Sequence, residues 1–270
     1  MTRIAAVQLS PVVGDLAGNV DRATAAIRDA LAGGAEVVVL PELTTSGYVF
    51  ASEEEARGLA IDASDPRLAG WAALLGGAVL VVGFAELGRD GLLYNSAAVL
   101  DADGVQAVYR KVHLWDLEKR FFTPGSGQPA LVDTRFGRIG LMICFDLEFP
   151  EWTRIAALQG TDLLVVPANW PLQPRADGED VPEVQVAAAT ARLNHMAVVV
   201  ADRQGTERGV AWAGGTHVVG ADGGIIDRVG EGNGIAWADV DLPASRDKRQ
   251  ATLVDLLADR RPDLYGALLA

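Results

Sequence analysis

Ile139-Gly140-Leu141-Met142-Ile143-Cys144-Phe145-Asp146-Leu147-Glu148-Phe149-Pro150-Glu151 opens as a buried strand and closes as the start of a helix. Ile139–Cys144 is a near-continuous apolar run, as expected of a strand covered on both faces. Pro150 suits a first helical turn, and the helical pattern of Pro150–Leu158 stops at Gly160. A second apolar run, Leu163–Pro167, follows at once. Strand, helix and strand in this order predict a parallel crossover unit and an α/β fold. Working outward, the same grammar recurs. Strand-length runs fall at Ile4–Leu9, Glu36–Leu40, Val79–Phe84, Ser96–Leu100, Ala197–Ala201, His217–Gly220 and Ile235–Val240. Helical patterns fall at Asn19–Ala32, Pro66–Leu75 and Val181–His195. Asn19 can cap the first, and Gly33-Gly34 ends it. Asp103-Gly104 and Asp222-Gly223-Gly224 read as hairpin turns leading to Val105–Tyr109 and Ile225–Val229, so the sheets are mixed. No repeat or linker stands out. The polar stretch Gln173–Asp180 reads as a loop, and residues 1–270 read as one domain.

Composition narrows the function classes. The 270 residues carry 23 Lys and Arg against 36 Asp and Glu, a formal net charge of -13. That balance disfavours nucleic acid, which needs clustered basic residues, and anionic membrane surfaces. No segment approaches the ~20 apolar residues of a membrane helix, and the N-terminus shows no signal-peptide pattern. One cysteine among 270 residues cannot form an internal disulfide and suits a reducing compartment, so a cytoplasmic location is expected.

Three strands finish in residues awkward for a buried strand: Glu42 after Val37–Pro41, Cys144 after Ile139–Ile143, and Asn169 after Leu163–Ala168. Lys111 follows the Val105–Tyr109 strand. In α/β sheets the crevice beyond the carboxyl ends of strands is where ligands bind. Singly, each residue has a plain structural explanation. A lone cysteine after an apolar strand is usually a small buried hydrophobe, and a Glu or Lys there is usually solvated.

Together the segments say more. Leu40-Pro41-Glu42, Arg110-Lys111-Val112-His113-Leu114 and Ile143-Cys144-Phe145-Asp146-Leu147-Glu148-Phe149-Pro150-Glu151 resemble, in order and spacing, the three motifs of the nitrilase superfamily of carbon–nitrogen hydrolases. Ile4–Leu9, Val165–Trp170 and Asp259–Tyr265 are similar to that family as well, the last to its amidases. The resemblance implies a four-layer α-β-β-α sandwich with mixed sheets. It implies a cofactor-free, metal-free thiol amidase that assembles at least as a homodimer and acts on a small-molecule amide. Cys144 would be the nucleophile, Glu42 the general base and acid, and Lys111 the cation beside the developing oxyanion. The Phe145 N–H would be a second oxyanion donor. Glu118, seven residues after Lys111, stands where the family's amidases have a second glutamate, and would hold Lys111 or the substrate amide.

For the substrate, Glu148 occupies a position where members acting on carboxylates carry an arginine. Its charge would repel a carboxylate and suit an amine, as in amino-amides such as 5-aminopentanamide. The competing reading is a structural salt bridge near Arg154. Tyr48, Trp115 and Trp170 are expected to wall the pocket, with Asn169 beside it. N-carbamoyl-amine and nitrile hydrolysis use the same triad. A rival of another class is an inactive binding or regulatory protein on this fold. A Cys–His hydrolase through His113 is the competing mechanism, but His113, His195 and His217 all read as structural. Thr123–Gly127 and Gly230–Gly234 lack the pattern of a phosphate loop and read as turns. Glu53-Glu54-Glu55 reads as a solvated helix start.

Overall fold

The computed structural model describes residues 1–176 and 179–269, Leu269 by its backbone only. The expected loop Gln173–Asp180 therefore includes Asp177 and Gly178, which lie outside the described residues. The chain opens with β1 (Thr2–Gln8), α1 (Leu16–Ala32), β2 (Val37–Val39), α2 (Glu53–Leu59) and α3 (Pro66–Ala72). Three long strands follow: β3 (Val79–Leu87), β4 (Leu93–Asp101) and β5 (Gly104–Arg110). The second half runs β6 (Ala130–Thr134), β7 (Gly137–Leu141), α4 (Pro150–Leu158), β8 (Leu163–Pro167), α5 (Pro182–Asn194) and β9 (Ala197–Ala201). A small hairpin, β10 (Gln204–Glu207) and β11 (Val210–Ala213), precedes β12 (His217–Val219), β13 (Ile225–Arg228) and β14 (Gly234–Val240).

Two six-stranded sheets result, ordered β14-β1-β2-β3-β4-β5 and β13-β12-β9-β8-β7-β6. Each has a parallel centre, β1-β2-β3 or β7-β8-β9, flanked by antiparallel strands. The alternation of side chains along a strand explains the layers. Ile4, Ala6, Val37, Val39, Val79 and Val81 share one core with Ile139, Leu141, Leu163 and Val165 of the other sheet. Their neighbours Ala5, Val7, Val38, Leu80 and Val82 instead pack against Ile27 of α1 and Leu68 and Trp71 of α3. On the far side, α4 and α5 bring Ala156, Ala157, Val184, Ala187 and Ala191 to the second sheet. The architecture is the α-β-β-α sandwich with mixed sheets.

Two local expectations change. Asp15, not Asn19, caps α1, its carboxylate accepting the Gly18 N–H at 3.0 Å. Asn19 lies inside the helix and is buried, where its amide donates to Val12 O and Thr45 O. The strand read through Cys144 ends at Leu141, and Cys144–Glu148 is a 3-10 helix. No helix among the described residues is long and apolar enough to cross a membrane.

Candidate active site

The carboxyl ends of β2, β5, β7 and β8 deliver Glu42, Lys111, Cys144 and Asn169 to one end of the sandwich. Each delivery has a local cause. Beyond β2, Leu40 N–H donates to Val81 O and Thr44 N–H to Gly83 O, which pins the Glu42 turn onto β3. Gly83 permits this close approach: a Cβ there would sit 2.5 Å from Glu42 Cα. Lys111 is fixed by its N–H to Asn95 O and by the Gly125 N–H to its own carbonyl, both 2.8 Å. Cys144 sits on a sharp turn held by Asp146. Its carboxylate accepts from Ile143 N (3.1 Å), Tyr109 OH (2.8 Å), His113 N (3.0 Å) and His113 Nδ1 (2.7 Å).

Backbone strain gathers on the same turns. Leu43, Asp116 and Cys144 have φ of 47°, 38° and 48°, in the left-handed region that non-glycine residues avoid. Such outliers persist where surrounding structure enforces them, and they concentrate at functional sites.

Three of the expected residues form one buried charge cluster. Lys111 Nζ donates to Glu42 Oε1 at 2.7 Å and to Glu118 Oε1 at 2.8 Å. All three side chains are shut off from solvent. Glu118 is fully engaged: Oε1 also accepts Tyr48 OH at 2.5 Å and Asn95 Nδ2 at 3.3 Å, and Oε2 accepts Trp115 N at 3.0 Å. Of the two roles expected for Glu118, this geometry serves the holding of Lys111. Glu42 differs. Asn95 Nδ2 donates to its Oε1 at 2.7 Å, but its buried Oε2 has no hydrogen-bond partner among the described residues. Cys144 Sγ–H points to Asn169 O at 3.9 Å, and Asn169 Nδ2 donates to Glu42 O at 3.0 Å.

Electrostatics follow from one cation between two carboxylates in a water-excluded site. Burial raises Glu42 to about 7, with Lys111 opposing and Glu118 reinforcing the rise. Burial by itself would lower Lys111, but Glu118 and then Glu42 overcome it and hold the ammonium well above its usual range. Burial, then the Glu42 charge, push the Cys144 thiol well above its ordinary value, against the pull of Lys111. The resting thiol is thus protonated beside a carboxylate whose affinity for a proton is poised near neutrality. That combination suits proton transfer during reaction rather than a standing thiolate.

The histidines take no part in it. His113 pairs with Asp146 and stacks on Phe149 with centroids 3.8 Å apart. His217 is buried, its Nδ1–H donates to Gly215 O, and burial lowers it to about 4. His195 ends α5 in a left-handed conformation and bonds Asp247 O.

Beside the cluster lies a largely apolar cavity of about 290 Å³. Tyr48, Trp115 and Glu118 line it, as do Phe50, Phe121, Phe122 and Trp212. Trp170 does not. It is buried in the sheet-to-sheet core, tilted against His217 and close to Gly215. The Phe145 N–H falls in the first turn of its 3-10 helix, which supplies it no partner. Glu148 is exposed at the end of that helix. Burial of part of the side chain, then the Glu183 charge, raise its carboxyl. Among the described residues it forms no salt bridge, and Arg154 donates instead to Leu193 O.

Sequence reasoning did not single out Asn95, Tyr109 or the cavity residues Phe50, Phe121, Phe122 and Trp212. Asn95 had one available signal, a carboxamide just ahead of the apolar run Ser96–Leu100. The others look like ordinary core aromatics until the chain is folded.

Comparison with known proteins bears on this geometry. A family model described as carbon-nitrogen hydrolase matches residues 3–250. The chain belongs to the carbon-nitrogen hydrolase family. This hydrolase is 35% identical over 271 residues to a nitrilase of Pyrococcus abyssi, covering 98% of this chain and 99% of that one. It is 32% identical to an N-carbamoylputrescine amidase of Arabidopsis thaliana, covering 94% and 91%. Among solved structures it resembles a mutant of the amidase from Nesterenkonia sp. AN1, with a TM-score of 0.81 and 29% identity over 99% and 100% of the two chains. In that protein acrylamide has added to the active-site cysteine by Michael addition. The nitrilase superfamily membership and carbon–nitrogen hydrolase chemistry expected above are therefore established.

Proposed function

We propose that this hydrolase is a thiol amidase that converts a small aliphatic carboxamide to its acid and ammonia. The observation that carries the reading is the buried cluster in which Lys111 bridges Glu42 and Glu118 while, of the four carboxylate oxygens, Glu42 Oε2 has no partner among the described residues. Glu42 takes the Cys144 proton as sulfur attacks the amide carbon. Lys111 has spent two N–H groups on carboxylates and keeps its third for the oxyanion, together with the Phe145 N–H. Glu42 then gives its proton to the departing nitrogen, leaving a thioester on Cys144 and free ammonia. Water adds next, losing its proton to Glu42, and the thioester opens to acid and thiol. Glu118, locked by four donors, holds Lys111 in place. No step calls for a cofactor or metal.

The aromatic cavity would take the aliphatic part of the substrate, and Glu148 an amine at its far end. Support for the latter is its missing salt bridge and the second carboxylate, Glu183, beside it. The substrate in the Arabidopsis relative's name also ends in an amine. N-carbamoyl-amine hydrolysis is accordingly the second reading. We infer further that the chain acts in the cytoplasm as one domain and as a homodimer. A dimer would cover the groove between α4 and the C-terminal segment, where Leu158, Tyr265 and Leu268 are exposed.

The test is ammonia release by purified protein and by Cys144→Ala. The panel holds 5-aminopentanamide, a neutral aliphatic amide, an acid amide, an N-carbamoyl amine and a simple nitrile. Cys144-dependent release favouring the cationic amide supports the reading. Release from the acid amide would remove the role of Glu148, and release from the nitrile alone would overturn the amidase assignment. Absence of any Cys144-dependent release would favour an inactive binding protein.

A further inference from the structure

We propose that Asn95 is a positioning residue for this reaction: its one carboxamide ties Glu42 to Glu118 and leaves Glu42 Oε2 as the oxygen that exchanges the proton. The inference rests on Glu42 being the base toward Cys144, as argued above.

Asn95 is the residue that touches all three charged members of the cluster. Its carbonyl accepts the Lys111 N–H at 2.8 Å, where β5 leaves its pairing with β4. Its Nδ2 donates to Glu42 Oε1 at 2.7 Å and to Glu118 Oε1 at 3.3 Å. The side chain is wholly buried, and its Oδ1 has no hydrogen-bond partner among the described residues. A buried amide ordinarily satisfies both ends. Here the acceptor end is left bare while the donor end serves two carboxylates, so the amide's orientation is set by those carboxylates.

The charge count shows why a neutral donor belongs there. Lys111 contributes one positive charge, and Glu42 and Glu118 one negative charge each when ionised. A second cation in place of Asn95 would balance the cluster and keep Glu42 permanently ionised, a poor acid toward a leaving nitrogen. An apolar residue would leave both carboxylates short of a donor and drive Glu42 toward its neutral form, a poor base toward the thiol. An amide donates without adding charge. Asn95 and Lys111 both donate to Oε1 of Glu42, so Oε2 is the oxygen left with its lone-pair positions open.

The test needs no identified substrate. The rate of Cys144 alkylation by acrylamide, followed by intact mass from pH 5 to 10, reads the ionisation of Glu42 as an acid limb. Parent protein, Glu42→Gln, Asn95→Asp and Asn95→Ser are compared, with thermal melts to confirm folding. Asn95→Asp is nearly isosteric and turns a donor into a third carboxylate. Asn95→Ser keeps one donor, which cannot reach both carboxylates. Losing a hydrogen bond to a charged group should move the limb upward by about one pH unit in Asn95→Ser and by more in Asn95→Asp. A merely structural role would lower the melting temperature, or scale the rate equally at every pH, without moving the limb. If Glu42→Gln abolishes the limb and both folded Asn95 variants keep it where the parent has it, the Asn95 assignment is overturned and Glu42 stands as base. If Glu42→Gln keeps the limb, the limb is not that of Glu42, and both assignments fall.

Discussion

Glu42→Gln should leave the protein inactive and, at alkaline pH, more stable. Glu42 is buried with a carboxyl raised from the ordinary 4.5 to about 7. Its folded-state value lies above its unfolded value. Its contribution is therefore most favourable below about pH 4.5 and is lost as pH rises through about 7. At ~1.4 kcal/mol for each pH unit between the two values, Glu42 has withdrawn roughly 1 kcal/mol of stability by pH 5.5, where it is still protonated in the fold, and roughly 3 kcal/mol by pH 8.5, where it is ionised. Glutamine resembles the protonated acid. It can still accept from Lys111 and Asn95, and it leaves the Lys111–Glu118 pair electrically balanced. The stability gap between variant and parent should then widen by about 2 kcal/mol, in the variant's favour, from pH 5.5 to pH 8.5. For a chain of this size that is about 4 °C in relative melting temperature. Differential scanning calorimetry of both proteins at the two pH values, paired with urea unfolding, measures it. A gap that stays constant with pH, or that turns against the variant at pH 8.5, would refute the claim that the site stores the cost of an extra buried negative charge.

Asp146→Asn should cost ~3 kcal/mol or more of stability, because an amide cannot accept from all four donors that converge on the carboxylate. Urea titration checks this, and activity should fall with it as the Cys144 turn loosens. Tyr48→Phe removes the 2.5 Å hydrogen bond to Glu118, and kcat/KM should drop about tenfold or more, the equivalent of ~1.5–3 kcal/mol for a bond to a charged group. Steady-state kinetics measures the drop, and intact mass after acrylamide treatment should show Cys144 still able to be alkylated. Glu148→Gln should raise KM for a cationic amide by about two- to fivefold, as befits a solvent-screened ion pair. It should leave KM for a neutral amide unchanged.

The strand and helix runs were legible because burial on both sheet faces writes long apolar stretches, as in Val37–Val39, Val79–Phe84 and Leu163–Pro167. Glycine and proline punctuated the helices between them. Two six-stranded sheets meeting face to face follow from that reading only with the family resemblance added. Strand β6 escaped notice because Ala130–Thr134 is half-buried and lacks a clean alternation. The β10–β11 hairpin escaped because Gln204–Glu207 is polar, its pairing set by contacts distant in sequence. Asp15 displaced Asn19 as a helix cap because both are good capping residues, and the tertiary bonds of Asn19 to Val12 and Thr45 decided between them. At the site, Glu42, Lys111 and Cys144 were visible as misfits at strand ends. Asn95 was not, since its value lies in reaching two carboxylates far away in sequence. Trp170 and Trp212 show the same limit from the other side. Nothing local tells which tryptophan faces the core and which the cavity.

The most direct measurement is acid-quenched intact mass of the protein during turnover of whichever amide the ammonia panel identifies, with peptide mapping of the modified site. The account predicts an added acyl group on Cys144 alone, released by hydroxylamine as a thioester is, and absent from Cys144→Ala. Turnover with ammonia release but no Cys144 adduct under any quench, or turnover that survives in Cys144→Ala, would contradict it.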